Sequence, residues 1–161
     1  MPDNPIITSA AGGFGDVYAD EARRRLYCFA HCPPVGKIRL DIHTDAFGMD
    51  LEFFEDVDGP QVLNLKNTFL KSKAEETAGL LHKLSVQWEM LWPRIYGSLS
   101  QVRQDYRCSA AITEANCSVV LAPPEAGDEY WFCELELEQW DGFYMVRFNL
   151  CGEIAEACAS F

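Results

Sequence analysis

The chain has 161 residues, 48% of them hydrophobic, and a formal net charge of −12 from 25 acidic against 13 basic residues. Length and apolar content predict a single domain over residues 1–161 with one core. The negative excess opposes phosphate backbones and anionic lipid surfaces, so neither nucleic acid nor membrane is an expected partner.

No apolar run reaches the roughly 18 residues that a membrane span needs. The opening Met1-Pro2-Asp3-Asn4-Pro5 lacks a basic segment followed by an apolar core, so no signal peptide is expected. Cys28, Cys32, Cys108, Cys117, Cys133, Cys151 and Cys158 are odd in number and scattered. That pattern suits reduced thiols in a cytoplasm better than a disulfide framework.

In chain order, residues 1–13 are rich in Pro, Ala and Gly and read as a loosely ordered lead-in. Phe14–Ala19 reads as a short strand. The polar segment Asp20–Arg25, with Arg23-Arg24-Arg25, reads as a solvated turn rather than an anion grip. Leu26–His31 is a second strand, stopped at Cys32-Pro33-Pro34 because proline cannot donate to a ladder. Lys37–Thr44 alternates, with Ile38, Leu40 and Ile42 on one side and Lys37, Arg39, Asp41 and His43 on the other. This is the pattern of an antiparallel strand with one wet face.

Residues 45–71 carry the weakest pattern. Leu51–Phe54 fits a strand or a loop edge, Asp56-Val57-Asp58-Gly59-Pro60 a turn, and Val62–Leu70 a short helix or strand. Between Arg39 and Lys66 there is no basic residue, while Asp41, Asp45, Asp50, Glu52, Glu55, Asp56 and Asp58 all fall there.

From Ser72 to Arg107 apolar residues recur at steps of three and four, through Leu81, Leu84, Trp88, Leu91, Trp92, Ile95, Leu99 and Val102. That spacing places them on one helix face. Ser72-Lys73-Ala74-Glu75 fits a capping box and predicts the helix start. Glu75 and Glu76 in the first turn, and Arg103 and Arg107 in the last, would suit the helix dipole. Thirty-six residues of straight helix would span about 54 Å, more than the roughly 40 Å diameter of a compact chain this size. Pro93 lacks an amide hydrogen. A kinked helix, or two helices sharing one buried face, is therefore expected.

After the helix, Ser118–Ala122 is a strand ending at Pro123-Pro124, and Glu125–Glu129 a polar loop. Trp131, Cys133, Leu135 and Leu137 alternate with Phe132, Glu134, Glu136 and Glu138. Asp141-Gly142 is the central pair expected of a type I′ hairpin. That turn pairs Leu137 with Val146, Leu135 with Phe148, Cys133 with Leu150, and Glu136 with Arg147. Cys151-Gly152 then leads into a last strand over Glu153–Ser160. A two-residue turn there would set Ala155, Ala157 and Ala159 on the core face and Glu156 beside Arg147, whereas a three-residue turn would shift this register. Strands, then helix, then strands define an α+β class. Antiparallel sheet from both ends of the chain packs on the central helix or helix pair.

No constellation for catalysis is evident. There is no Gly-x-Ser-x-Gly elbow, and Cys28 and His31 fall on opposite sides of an extended strand. Cys28, His31 and Cys32 lack a second ligand pair for zinc. Asp56-Val57-Asp58-Gly59 lacks the alternating ligands of a calcium loop, with Leu65 where the closing Glu belongs. Gly12-Gly13-Phe14-Gly15 lacks the Lys and Ser or Thr of a phosphate loop. Neither catalytic residues, metal nor cofactor is expected, and enzymatic activity is the weaker reading. The row Glu134, Glu136, Glu138 reads as a solvated strand face.

Two binding readings remain. Segregated charge supports a non-catalytic protein-interaction module for a basic partner: no Lys or Arg lies between Arg107 and Arg147, where eight acids do. Asp50, Glu52, Glu55, Asp56 and Asp58 are its candidate contacts. In layout and charge such a chain resembles small bacterial immunity-type proteins that neutralise toxins, which implies an immunity-like or regulatory role. The alternative is a small-molecule pocket between helix and sheet, lined by Trp88, Trp92, Trp131 and Tyr144.

Overall fold

The computed structural model describes residues 4–8, 11–20, 22–23, 25–43, 60–108, 111–138 and 142–160, with 60–67 as backbone only. Seven strands form one sheet in chain order: β1 (Tyr18–Asp20), β2 (Arg25–Cys32), β3 (Gly36–Ile42), β4 (Cys117–Ala122), β5 (Trp131–Leu137), β6 (Phe143–Phe148) and β7 (Ile154–Ser160). One helix, α1 (Pro60–Asp105), joins β3 to β4. Every neighbouring pair is antiparallel except β3 and β4, which run parallel because the helical crossover returns the chain to the same end. The α+β class and the succession of strands, helix and strands match the sequence pattern.

The helix differs from expectation at its start and in its length. It has 46 residues, about 69 Å at 1.5 Å per residue, and begins at Pro60. Ser72 and Glu75 thus lie inside the helix, and the capping box does not mark its N-terminus. Proline suits a first helical position, where its missing amide costs no bond. Pro93 lies inside this one helix rather than opening a second. The buried stripe runs Leu70, Ala74, Ala78, Leu81, Leu84, Trp88, Leu91, Trp92, Ile95, Leu99 and Val102. The helix closes with Arg107 at φ 55°, the Arg107 amide on the Gln104 carbonyl at 3.0 Å and the Cys108 amide on the Arg103 carbonyl at 2.9 Å. That is a Schellman closure with arginine at the left-handed position.

Against this stripe lies one face of the sheet. Leu26, Cys28, Ala30 and Cys32 of β2, Ile38, Leu40 and Ile42 of β3, and Val119 and Leu121 of β4 are buried there. Trp131, Cys133, Leu135 and Leu137 of β5, with Tyr144, Val146 and Phe148 of β6, complete it. Before β1, the expected loose lead-in is instead tied down where it is described. The Val17 amide bonds to the Ile7 carbonyl at 2.9 Å, Ala11 is buried, and a 3-10 helix at Gly12–Phe14 inserts Phe14 into the core. The strand expected over Phe14–Ala19 starts only at Tyr18.

The β5–β6 hairpin forms, but in a different register. Leu135 pairs with Tyr144, Cys133 with Val146 and Trp131 with Phe148, so each partner lies four positions earlier than the sequence pattern suggested. Arg147 stands opposite Phe132, not Glu136. An even shift leaves every side chain on its own face, so hydrophobic alternation cannot distinguish the two registers. On the other flank the turn is not the two-residue one: Phe148 pairs with Ile154 and the Asn149 amide bonds to the Glu153 carbonyl at 3.1 Å, leaving a three-residue turn over 150–152. A bulge between Arg147 and Phe148 then brings Arg147 opposite Glu156, and Ala155, expected on the core face, is exposed. Ala157 and Ala159 lie opposite Val146 and Tyr144 on the helix side, although Ala157 is exposed. Leu51–Phe54 and the turn at 56–59 lie outside the described residues.

Candidate functional site

The register fixes what the second face of the sheet carries, because directly paired residues share a face. From one edge to the other it holds Tyr18 and Asp20, then Arg25, Tyr27, Phe29 and His31, then Lys37, Arg39 and Asp41, then Ser118 and Val120. Phe132, Glu134 and Glu136 follow, then Phe143, Met145 and Arg147, and last Glu156 and Cys158. No described helix packs on this face. Phe29, Phe132, Phe143 and Met145 are half-buried there.

Two clusters of cations and rings organise it. Arg39 Nη2 lies 2.9 Å from both Asp20 Oδ2 and Asp41 Oδ1, while Nε donates to Asp41 Oδ1 at 3.0 Å. The guanidinium sits 3.7 Å above the Tyr27 ring, which stacks on Tyr18 at 5.1 Å. Arginine's planar fork suits simultaneous carboxylate and aromatic contacts. The Arg39 guanidinium and the Arg23 backbone amide together hold the Asp20 carboxyl below the usual carboxylate range. In the second cluster Arg147 lies 5.2 Å from the centres of both Tyr130 and Phe132 and 3.9 Å from Glu156. Between the clusters, Glu134 lies in register with Val120 and Met145, and Glu136 with Ser118 and Phe143. Neither glutamate has an ion-pair partner among the described residues.

On the helix side, Trp88 and Trp92 stack at 5.6 Å, and Phe14 meets Trp88 edge-on at 5.4 Å. Trp88 Nε1 donates to the His31 carbonyl at 3.2 Å and Trp92 Nε1 to the Pro33 carbonyl at 2.7 Å. The two indoles thereby pin the β2–β3 turn to α1. They are 4% and 1% exposed, so their principal work is packing. Beside them opens a hollow of about 370 Å³ bounded by Phe14, His31, Pro33, Trp88, Glu89 and Pro93. Trp131 borders a different hollow, with Leu80, Lys83 and Asn149, and Tyr144 is wholly buried in the core. Only two of the four candidate pocket aromatics therefore meet. Asp50, Glu52, Glu55, Asp56 and Asp58 lie outside the described residues.

The buried thiols Cys28, Cys32 and Cys133 are held protonated. Burial, with Asp41 and Cys32 adding negative potential, pushes Cys28 up to about 12, and burial raises Cys32 to about 12. Burial also raises Cys133. A neutral, buried thiol is a poor nucleophile and a poor metal ligand. Cys28 faces the core while His31 is exposed. Among the described residues no group of three or more His, Cys, Asp or Glu is placed to hold a metal ion. Gly12-Gly13-Phe14-Gly15 packs on the helix, with the Gly13 amide donating to Ser85 Oγ at 3.1 Å. A Cβ at Gly12 would meet that oxygen and the His82 ring. No described helix is long and apolar enough to cross a membrane.

Phe132, Phe143 and Met145 belong to no motif in the sequence. The available signal was alternation itself: Phe132 and Met145 each lie between two core residues, Phe143 lies beside one, and all three are apolar where a solvated face would be polar. Compared with known protein families, curated proteins and solved structures, the chain matches none of them.

Proposed function

We propose that this chain is a non-catalytic protein-interaction module that receives a basic partner on the second face of its sheet. The observation that carries this reading is the composition of that face. Tyrosine, phenylalanine, methionine and arginine are the residues that distinguish protein interfaces from ordinary surface. Here they surround two carboxylates that lack a cationic partner among the described residues. A partner's Lys or Arg can lay its aliphatic stem along Met145 and Phe143 and bring its charge to Glu134 or Glu136. The net charge of −12 would speed encounter with such a partner, and salt would weaken that attraction. The acidic run Asp50–Asp58 adds to the field by its charge alone.

The test is affinity capture from the cells of origin with three versions of the chain. These are the native protein, Glu134→Lys with Glu136→Lys, and Glu75→Lys with Glu76→Lys on the exposed side of the helix. Both double variants change the net charge equally. A partner held by the native chain and the helix variant, released by high salt and lost from the sheet variant, is expected. A partner retained by the sheet variant, or no salt-sensitive partner at all, overturns the proposal.

A further inference from the structure

We propose that the hollow between α1 and the β2–β3 turn binds a small aromatic amine. It lies on the helix side of the sheet, so it stands or falls independently of the second face. Its volume of about 370 Å³ falls at the small end of the roughly 300–1,000 Å³ typical of ligand pockets. Exposed Pro33 and Pro93 border it, and Phe14 and the rim of Trp88 line it. These are flat apolar surfaces against which a ring can lie.

The polar groups decide the ligand's charge, because the donors at this site are already engaged. The indole N–H groups of Trp88 and Trp92 are given to the carbonyls of His31 and Pro33. The Ser85 hydroxyl donates to the His82 carbonyl at 2.8 Å. Acceptors, by contrast, are in surplus. In a helix the Glu89 carbonyl takes its bond from the amide four residues on, and that residue is Pro93, which has none. The Glu89 side chain is exposed beside it, with no ion-pair partner among the described residues. One residue thus offers a carbonyl and a carboxylate to a site bounded by apolar rings. An ammonium group, which has three donors and no acceptor, complements that set. A carboxylate or phosphate would meet repulsion.

The experiment titrates the intact chain with phenethylamine and, separately, with phenethyl alcohol, which is the same size and uncharged. Tryptophan fluorescence and the indole N–H resonances of Trp88 and Trp92 report binding. Saturable binding of the amine in preference to the alcohol, with Trp88 the most shifted indole, is the expected result. Glu89→Gln should weaken the amine by roughly tenfold or more and leave the alcohol unaffected. Thermal melting checks that this exposed substitution leaves the fold intact. Pro93→Ala restores the missing amide and should also weaken the amine. Equal binding of amine and alcohol, no saturable response, or an unaltered amine affinity in Glu89→Gln would overturn the assignment.

Discussion

The two faces of the sheet are made by the same strands and obey opposite rules. Toward α1, each strand from β2 to β6 presents apolar residues that are buried, from Leu26 through Leu40, Val119 and Leu135 to Val146. The second face mixes rings with charges, and Arg39 and Arg147 lie over aromatic rings rather than extending into water. A face that only had to stay soluble would need Lys, Glu and Thr. Phe29, Phe132, Phe143 and Met145, all half-buried, exceed that requirement, and this surplus separates a recognition surface from a merely wetted one.

The sharpest way to break the comparison is a pair of substitutions one residue apart on β5. Leu135→Ala opens a cavity in the core and should cost about 2–5 kcal/mol. Glu134→Ala should stay within about 0.5 kcal/mol. Urea unfolding measures both, and comparable losses would mean that the two faces are packed alike.

Next in size is Arg39→Met, which leaves the 4% exposed Asp41 without its guanidinium partner and should cost about 1–3 kcal/mol. Replacing Asp41 by Asn in the same chain should recover part of that loss, because the stranded charge is then gone.

Smaller still is the contribution of Asp20, which has a pH signature. Its folded pKa is lowered from the ordinary value of 3.8, so its stabilisation is complete above that value. It is lost as pH falls through the lower folded value. Asp20→Asn should therefore reduce stability at neutral pH by about 0.2–1 kcal/mol. The difference from the native chain should vanish toward the acid limb. A difference that persists at low pH would show that hydrogen bonding, not charge, holds the Asp20 site.

The smallest expected effect on stability is that of Glu134→Lys with Glu136→Lys, about 0.5 kcal/mol or less. A large loss on unfolding would mean that these carboxylates serve the fold and not a partner.

Much of this architecture was legible because periodicity depends directly on burial. Lys37–Thr44 and Trp131–Leu137 each carry a clean alternation, and Leu81–Val102 a clean helical stripe. The last two form where the pattern places them, and the first forms as a strand over Gly36–Ile42, with Thr44 outside the described residues. What failed were features that burial does not encode. Ser72 and Glu75 have capping chemistry, but nothing local prevents a helix from passing through them, and α1 does so. The Asp141-Gly142 signal proposed a turn, while the observed ladder is centred two residues earlier along the chain. Both registers bury Cys133, Leu135 and Val146 equally. The second face was hidden for a different reason. Phe132 and Met145 become informative only once a single helix is known to occupy a single side.

Side-chain footprinting by carbene labelling, on the native chain alone and with its captured partner, tests the central claim most directly. The proposal predicts protection of Phe132, Phe143 and Met145. Val86 and Tyr106, the helix-side surface residues that are 69% and 45% exposed, should label equally in both states. Protection of Val86 and Tyr106 with unchanged labelling of Met145 would contradict it and move the partner to the helix.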